Sequence, residues 1–297
     1  MEKIRSAIAK AREERNALDA GKPVPASSAP RDTAPLAASG AVDALEVPDA
    51  GPDGGPNAAV DARWAALPRA ILDANLMRRN RIVAYQRSAE ATGIDMMRTR
   101  VLQQMRDNKW HRLAITSPTP ACGKSTIALN LAVSLQRQAD LRTLLLELDL
   151  RRPSLLQMTG SKPTKAGFAE VLRGRADFAD NALCYGGNLA IGTGSGKSRD
   201  AAELLASDGV GPVLAGIEAA YEPDTIIFDM PPMLAADDVM AFATHVDCVL
   251  IMAAAERTTT KEIDLCEQEL ARQTSVMGVV LNECRYMEAE ANYGYYS

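Results

Sequence analysis

Gly123, Lys124 and Ser125 stand in succession between two apolar runs, and three carboxylates, Glu147, Asp149 and Asp229, fall at the ends of later ones. Residues 112–116 read as a short buried strand. From Ser125 onward the chain reads as a helix with apolar side chains at Ile127, Leu129, Leu131, Val133 and Leu135. A loop that joins a strand to a helix N-terminus aims its backbone N–H groups at phosphate oxygens. In that setting Lys124 reaches the β and γ phosphates of a nucleotide and the Ser125 hydroxyl binds Mg²⁺. The first glycine of the G-x-x-x-x-G-K-[ST] spacing falls on Pro118, and Ala121 occupies a second position where glycine is frequent. Pro118 and Pro120 have no N–H to give, so Thr119, Ala121, Cys122, Gly123, Lys124, Ser125 and Thr126 must form the cradle.

The acids extend this chemistry. Glu147 and Asp149 are two apart at a strand end, a spacing that predicts both carboxylates on one face with Leu148 on the other. Asp229 closes residues 225–230, and Met230-Pro231-Pro232 is expected to stop that strand and leave the carboxylate at the sheet edge. Three carboxylates beside Lys124 and Ser125 suit a Mg²⁺-nucleotide site, because Mg²⁺ takes oxygen ligands and keeps several waters that such acids hold.

The elements that position these groups alternate. Strands are predicted at 112–116, 142–149, 188–192, 225–230, 248–253 and 276–281, with helices at 90–105, from 125, at 201–221, 238–245 and 260–273. Unbroken apolar strands alternating with helices predict an α/β fold of the P-loop NTPase type, a mostly parallel sheet covered by helices on both faces. Ligands in such sheets sit at the carboxyl ends of strands. A flexible segment precedes this domain. Residues 1–20 hold an amphipathic helix with Ile4, Ala7, Ile8 and Ala11 on one stripe, and 21–66 is an Ala/Pro/Gly-rich linker too poor in large apolar groups to offset its ordering entropy. Order returns near Trp64. The catalytic domain is assigned to 67–285 and a tyrosine-rich tail to 286–297.

Composition narrows the functions. The net charge of -5 and pI near 5.3 argue against a general nucleic-acid or anionic-membrane binder. Five scattered cysteines, at 122, 184, 248, 266 and 284, form no C-x-x-C pair, and two histidines make no metal-ligand cluster, which fits a reducing cytoplasm. No run approaches the roughly 20 apolar residues of a membrane span, and no signal-peptide core follows the charged start. The chain is expected to be soluble.

The segments Ala-Ile-Thr-Ser-Pro-Thr-Pro-Ala-Cys-Gly-Lys-Ser-Thr at 114–126, Leu-Leu-Leu-Glu-Leu-Asp-Leu-Arg-Arg-Pro-Ser-Leu at 144–155 and Ile-Ile-Phe-Asp-Met-Pro-Pro-Met-Leu at 226–234 resemble three motifs of one family. They are the Walker A, Walker A′ and Walker B motifs of the bacterial tyrosine kinases of capsule and exopolysaccharide synthesis. The resemblance runs from about residue 88 onward and includes Ala202-Glu203-Leu204-Leu205, Val279-Val280-Leu281-Asn282 and Tyr293-Gly294-Tyr295-Tyr296. It implies an ATP-dependent protein-tyrosine autokinase that regulates polymer synthesis and export. Lys124 and Ser125 would bind phosphate and Mg²⁺, Asp149 and Asp229 would organise the metal and its waters, one acid of the 147/149 pair would help deprotonate tyrosine, and Asn282 would contact adenine. The family typically has Asp where this chain has Glu147. Its oligomerisation motif, Glu-x-x-Arg-x-x-Arg, is matched only approximately by Asp95, Arg98 and Arg100.

Tyr286, Tyr293, Tyr295 and Tyr296 are four of the seven tyrosines, placed beside Glu288 and Glu290. Such a set of phenols makes a poor core and a good autophosphorylation substrate. The resemblance further implies a transmembrane chain-length regulator whose cytoplasmic tail activates the kinase, a homo-oligomer, no nucleic-acid partner, and a cytoplasmic location at the inner membrane through that regulator. Two other readings stay open: a partitioning or positioning ATPase, whose signature lysine would stand at Thr119, and a nucleotide-binding regulatory scaffold without catalysis.

Overall fold

The computed structural model describes residues 58–194 and 196–284. The expected helix at 1–20, the linker up to residue 57 and the tail at 286–297 lie outside the described residues. Every described residue belongs to one compact unit.

Order begins before the expected boundary at residue 66. Helix α1 (Ala58–Ala66) buries Val60 and Trp64. Trp64 donates its indole N–H to the Tyr221 carbonyl at 2.8 Å and meets the Tyr221 ring edge-on at 6.1 Å. Because a buried Trp is worth about 3–5 kcal/mol against alanine, 58–66 belongs to the domain. The linker reading is corrected for those nine residues. The composition rule failed there because one Trp and one Val suffice to anchor two turns.

After β1 (Arg69–Ala70), α2 (Ala74–Arg79) and a 3-10 turn (Ala89–Ala91), α3 (Thr92–Asn108) buries Val101, Leu102 and Met105. Then come β2 (Arg112–Ser117), α4 (Lys124–Gln136), β3 (Thr143–Glu147), α5 (Leu155–Thr159), α6 (Phe168–Leu172), α7 (Phe178–Asn181), β4 (Ala182–Tyr185) and β5 (Leu189–Gly192). The chain continues through α8 (Ala201–Leu205), α9 (Val210–Tyr221), β6 (Thr225–Pro232), α10 (Asp238–Phe242), β7 (Cys248–Ala254), α11 (Thr260–Leu270) and β8 (Ser275–Asn282).

These strands make one sheet in the order β1-β4-β5-β3-β6-β2-β7-β8. All neighbours are parallel except β4 and β5, so the mostly parallel α/β sheet stands as expected with an antiparallel edge. Sequence patterning did not reveal β1 or β4. Side-chain alternation splits the core between the two faces. Leu144, Leu146, Ile226, Phe228, Val249 and Ile251 join one cluster, while Leu145, Ile227, Leu113, Ile115, Leu250 and Met252 join the other. Among the described residues no helix is long and apolar enough to cross a membrane.

Two strand ends differ from expectation. β3 stops at Glu147 because the N–H groups of Leu148 and Asp149 both turn onto the Asp229 carbonyl, at 2.9 and 3.0 Å, and leave the ladder. β6 runs through Pro231 and Pro232. A proline needs only its carbonyl here: Pro231 accepts the Thr116 hydroxyl at 2.7 Å, and a bulge in β2 brings Ser117 opposite Pro232. Asp229 therefore lies inside the sheet, between Glu147 of β3 and Ile115 of β2, and not at its edge.

Candidate nucleotide site

The loop between β2 and α4 turns through Gly123, whose φ of 83° suits glycine. A Cβ there would meet the Asn282 amide nitrogen at 2.1 Å and push it off the Cys122 carbonyl. Ala121 also has a positive φ, 64°, in a region that costs an L-residue roughly 1–2 kcal/mol. That explains why glycine is common at this position. The loop is held from outside. Asn282, at the end of β8, donates to the Cys122 carbonyl at 3.0 Å, Arg257 donates to the Ala121 carbonyl at 2.7 Å, and Leu234 N–H donates to the Pro118 carbonyl at 3.0 Å. Anchoring carbonyls outward leaves the N–H groups of the loop turned to the other side, where the helix dipole favours an anion.

Lys124 is the centre of the charge. Its Nζ lies 2.8 Å from Asp149 Oδ2, 3.2 Å from Ser125 Oγ and 3.8 Å from Asp229 Oδ1. Burial alone would lower the lysine pKa, but Asp229 and Asp149 outweigh it and hold the ammonium charged. Asp229 is fully buried, and neither of its oxygens has a hydrogen-bond partner. Desolvation pushes this carboxyl up, with Lys124 pulling the other way. An orphaned carboxylate beside a lysine and a serine hydroxyl is chemistry that fits a hydrated divalent cation. No cage of three His, Cys, Asp or Glu side chains is present among the described residues. The fit is thus to a cation held mainly by phosphate and water, as Mg²⁺ is.

Leu148 packs with Leu144 and Leu146 and away from Leu145, so the alternation carries past the end of β3 and leaves Glu147 and Asp149 on the opposite side. Their partners differ. Asp149 reaches Lys124, whereas Glu147 Oε1 accepts the N–H groups of Ser154 and of Leu155, the latter at 2.7 Å, and its Oε2 accepts Gly194 N–H at 2.8 Å. Burial drives the Glu147 carboxyl up to about 7 even though three N–H groups favour its ionised form. A carboxyl raised in the fold stabilises when protonated, so its contribution is full below about 4.5 and is lost as pH rises through about 7. Wild-type stability should therefore fall relative to Glu147→Gln between those limits, by an amount on the order of 3 kcal/mol. Urea melts of both proteins at pH 5 and pH 8 read it, and an unchanged difference would show that Glu147 titrates normally.

Other residues with a part here were not legible in the sequence. Arg151 makes a bidentate pair with the buried Asp238 at 2.8 and 2.9 Å, which fixes the segment after Asp149. Asn130, inside α4, accepts from Val83 and Ala84 and donates to Arg81 and Thr126 carbonyls, spending its whole capacity. A lone Asn among Ala, Leu and Val was the available signal. A cleft of about 350 Å³ opens beside the loop between Ala121, Lys124, Asp149, Arg152, Pro231 and Pro232. Asp95 and Arg98, of the approximate oligomerisation motif, are used internally: Asp95 pairs with Arg98 and Arg137 and accepts the Ser134 hydroxyl.

A phosphate loop between a strand and a helix, with strand-end acids converging on its lysine, defines a P-loop nucleotide-binding protein with a parallel sheet. The chain is similar in sequence to proteins named tyrosine-protein kinases and in fold to solved tyrosine kinase domains. It is 33% identical over 176 residues to the succinoglycan biosynthesis transport protein ExoP of Rhizobium meliloti, matching 58% of this chain and 22% of ExoP. It is 27% identical over 223 residues to the tyrosine-protein kinase YwqD of Bacillus subtilis, across 74% of this chain and 92% of YwqD. The kinase domain of the Escherichia coli tyrosine kinase ETK superposes with a TM-score of 0.61 at 27% identity, over 71% of this chain and 81% of that domain. The chain spans about a quarter or less of some longer relatives, ExoP among them. No protein-family model matches it. Kinship with kinase domains implies use of a nucleotide and a divalent metal.

Proposed function

We propose that this chain is an ATP-dependent protein-tyrosine autokinase that regulates exopolysaccharide or capsule polymerisation and export. The observation that carries the reading is the arrangement of Lys124 against Asp149 and the orphaned Asp229 at the mouth of the phosphate loop. Mg²⁺-ATP supplies the phosphoryl group and neutralises the charge that develops on it. Ala121 to Thr126 would bind the phosphates, Lys124 would move from the acids onto them, Ser125 and Asp229 would hold the metal and its waters, and Asn282 would contact adenine. The tyrosine Oη forms the new bond to the γ-phosphorus as the bond to the β–γ bridging oxygen breaks, and the phenolic proton passes to Asp149, which opens on the cleft. Glu147 is a positioning residue in this scheme, since backbone donors occupy both its oxygens.

The acceptors are Tyr286, Tyr293, Tyr295 and Tyr296, presented by a neighbouring copy in a homo-oligomer. The activator is the cytoplasmic tail of a transmembrane chain-length regulator, which recruits this cytoplasmic chain to the inner membrane. The division into a helix at 1–20, a linker, a kinase domain to 285 and a tail at 286–297 serves that arrangement, with the linker ending near residue 57. Mass spectrometry of the purified chain after incubation with ATP and Mg²⁺ tests the reading. Phosphotyrosine in the tail is the expected result; phosphate release without it would mean an ATPase of the partitioning type, and neither would mean a scaffold.

A further inference from the structure

The last turn of α2 and the segment that joins it to α3 are basic although the whole chain is acidic. Arg78, Arg79, Arg81 and Arg87 are exposed, and none lies within ion-pair distance of a carboxylate among the described residues. Arg78 and Arg81 line one cleft of about 570 Å³ together with Tyr85, Gln86, Ser88 and Glu90. The cleft is preformed. Ile82 and Ala84 are fully buried, Asn130 bonds the backbone of 81, 83 and 84, and Arg137 donates to the Gln86 carbonyl at 3.3 Å. Such a cleft has already met the ordering cost of presenting two planar guanidinium forks, which match phosphate and carboxylate oxygens in pairs.

We propose that this arginine cleft docks the phosphorylated C-terminal tail of the chain itself. Charge supports that occupant. Residues 285–297 hold one arginine against Glu288 and Glu290, and each phosphotyrosine adds about -1.5 to -2. Position supports it too. Asn282, the last residue of β8, lines the same groove as Gly93 and Ile94 at the start of α3, three residues after Glu90 of the arginine cleft. From there the eleven residues to Tyr293 span at most about 36–40 Å. Docking would hold a modified tail away from the nucleotide site and free that site for the next acceptor. The inference rests on the kinase reading only for the source of the phosphate.

The test uses synthetic peptides of residues 285–297, with and without phosphate on Tyr293 and Tyr295, titrated into the full unphosphorylated chain and followed by fluorescence anisotropy. The phosphopeptide should bind at least about tenfold tighter at 50 mM salt, with the preference shrinking at 300 mM as screening grows. Arg78→Gln/Arg81→Gln should lose the preference while keeping the wild-type melting temperature, because both side chains are exposed. Equal binding of the two peptides, or a preference that survives in the double variant, overturns the proposal. So does a double variant whose only loss is sedimentation with 3:1 phosphatidylcholine/phosphatidylglycerol vesicles, which would assign the arginines to a membrane. Because the phosphopeptide is made synthetically, a chain that binds it but phosphorylates nothing sinks the kinase reading and leaves this one standing.

Discussion

Lys124→Met is expected to lower tail phosphorylation by about 10²–10³-fold or more, the size of effect seen when one preorganised donor to a developing charge is removed. The lysine is already charged and within 4 Å of both Asp149 and Asp229, so its ammonium has a short path to the phosphates. The fold should survive with some loss. Removing one partner of a buried pair costs up to about 3–5 kcal/mol when the other charge stays buried and ionised. Here Asp229 can take a proton, since its carboxyl is already pushed up by burial, and the cost is correspondingly smaller. Mass spectrometry of the tail and a circular-dichroism melt read the two parts. A phosphorylation rate equal to wild type would remove Lys124 from the site.

Asp229→Asn should separate stability from activity in opposite directions. Its turnover should drop by about 10²-fold or more, because the group that holds the cation has lost its charge. The ligand-free protein should melt about 2–6 °C higher, from roughly 1–2 kcal/mol of relieved desolvation in a domain of this size. The physical cause is a fully buried carboxylate whose desolvation outweighs the pull of Lys124 and Ser125. Its folded pKa is raised above the unfolded value, so ionised Asp229 opposes folding increasingly as pH rises. The advantage of asparagine should thus be largest near pH 8 and vanish towards pH 4. Calorimetry at both pH values checks this, and a variant less stable than wild type at pH 8 would mean that Lys124 compensates the buried charge fully.

The sequence by itself determined the parts whose cause is local. A strand, a six-residue turn and a helix follow one another at 112–136, so the position of Lys124 at a helix N-terminus needed no distant partner to be read. The apolar runs at 143–147, 225–230 and 248–254 likewise announced buried parallel strands, because a strand covered on both faces has no polar alternation to hide it. Tertiary structure alone decided which strands are neighbours and where each carboxylate ends up. Asp229 is central because crossovers put β6 between β3 and β2. Glu147 makes no ion pair with Lys124, unlike Asp149, because donors 7, 8 and 47 residues away claim its oxygens. The pairing of β1 with β4, the Arg112 pair with Glu218, and the anchoring of residues 81–84 by Asn130 are likewise tertiary. These three are contacts between segments far apart in the chain, stable only after the core has brought them together, and a polar residue's type says little about which distant partner will satisfy it.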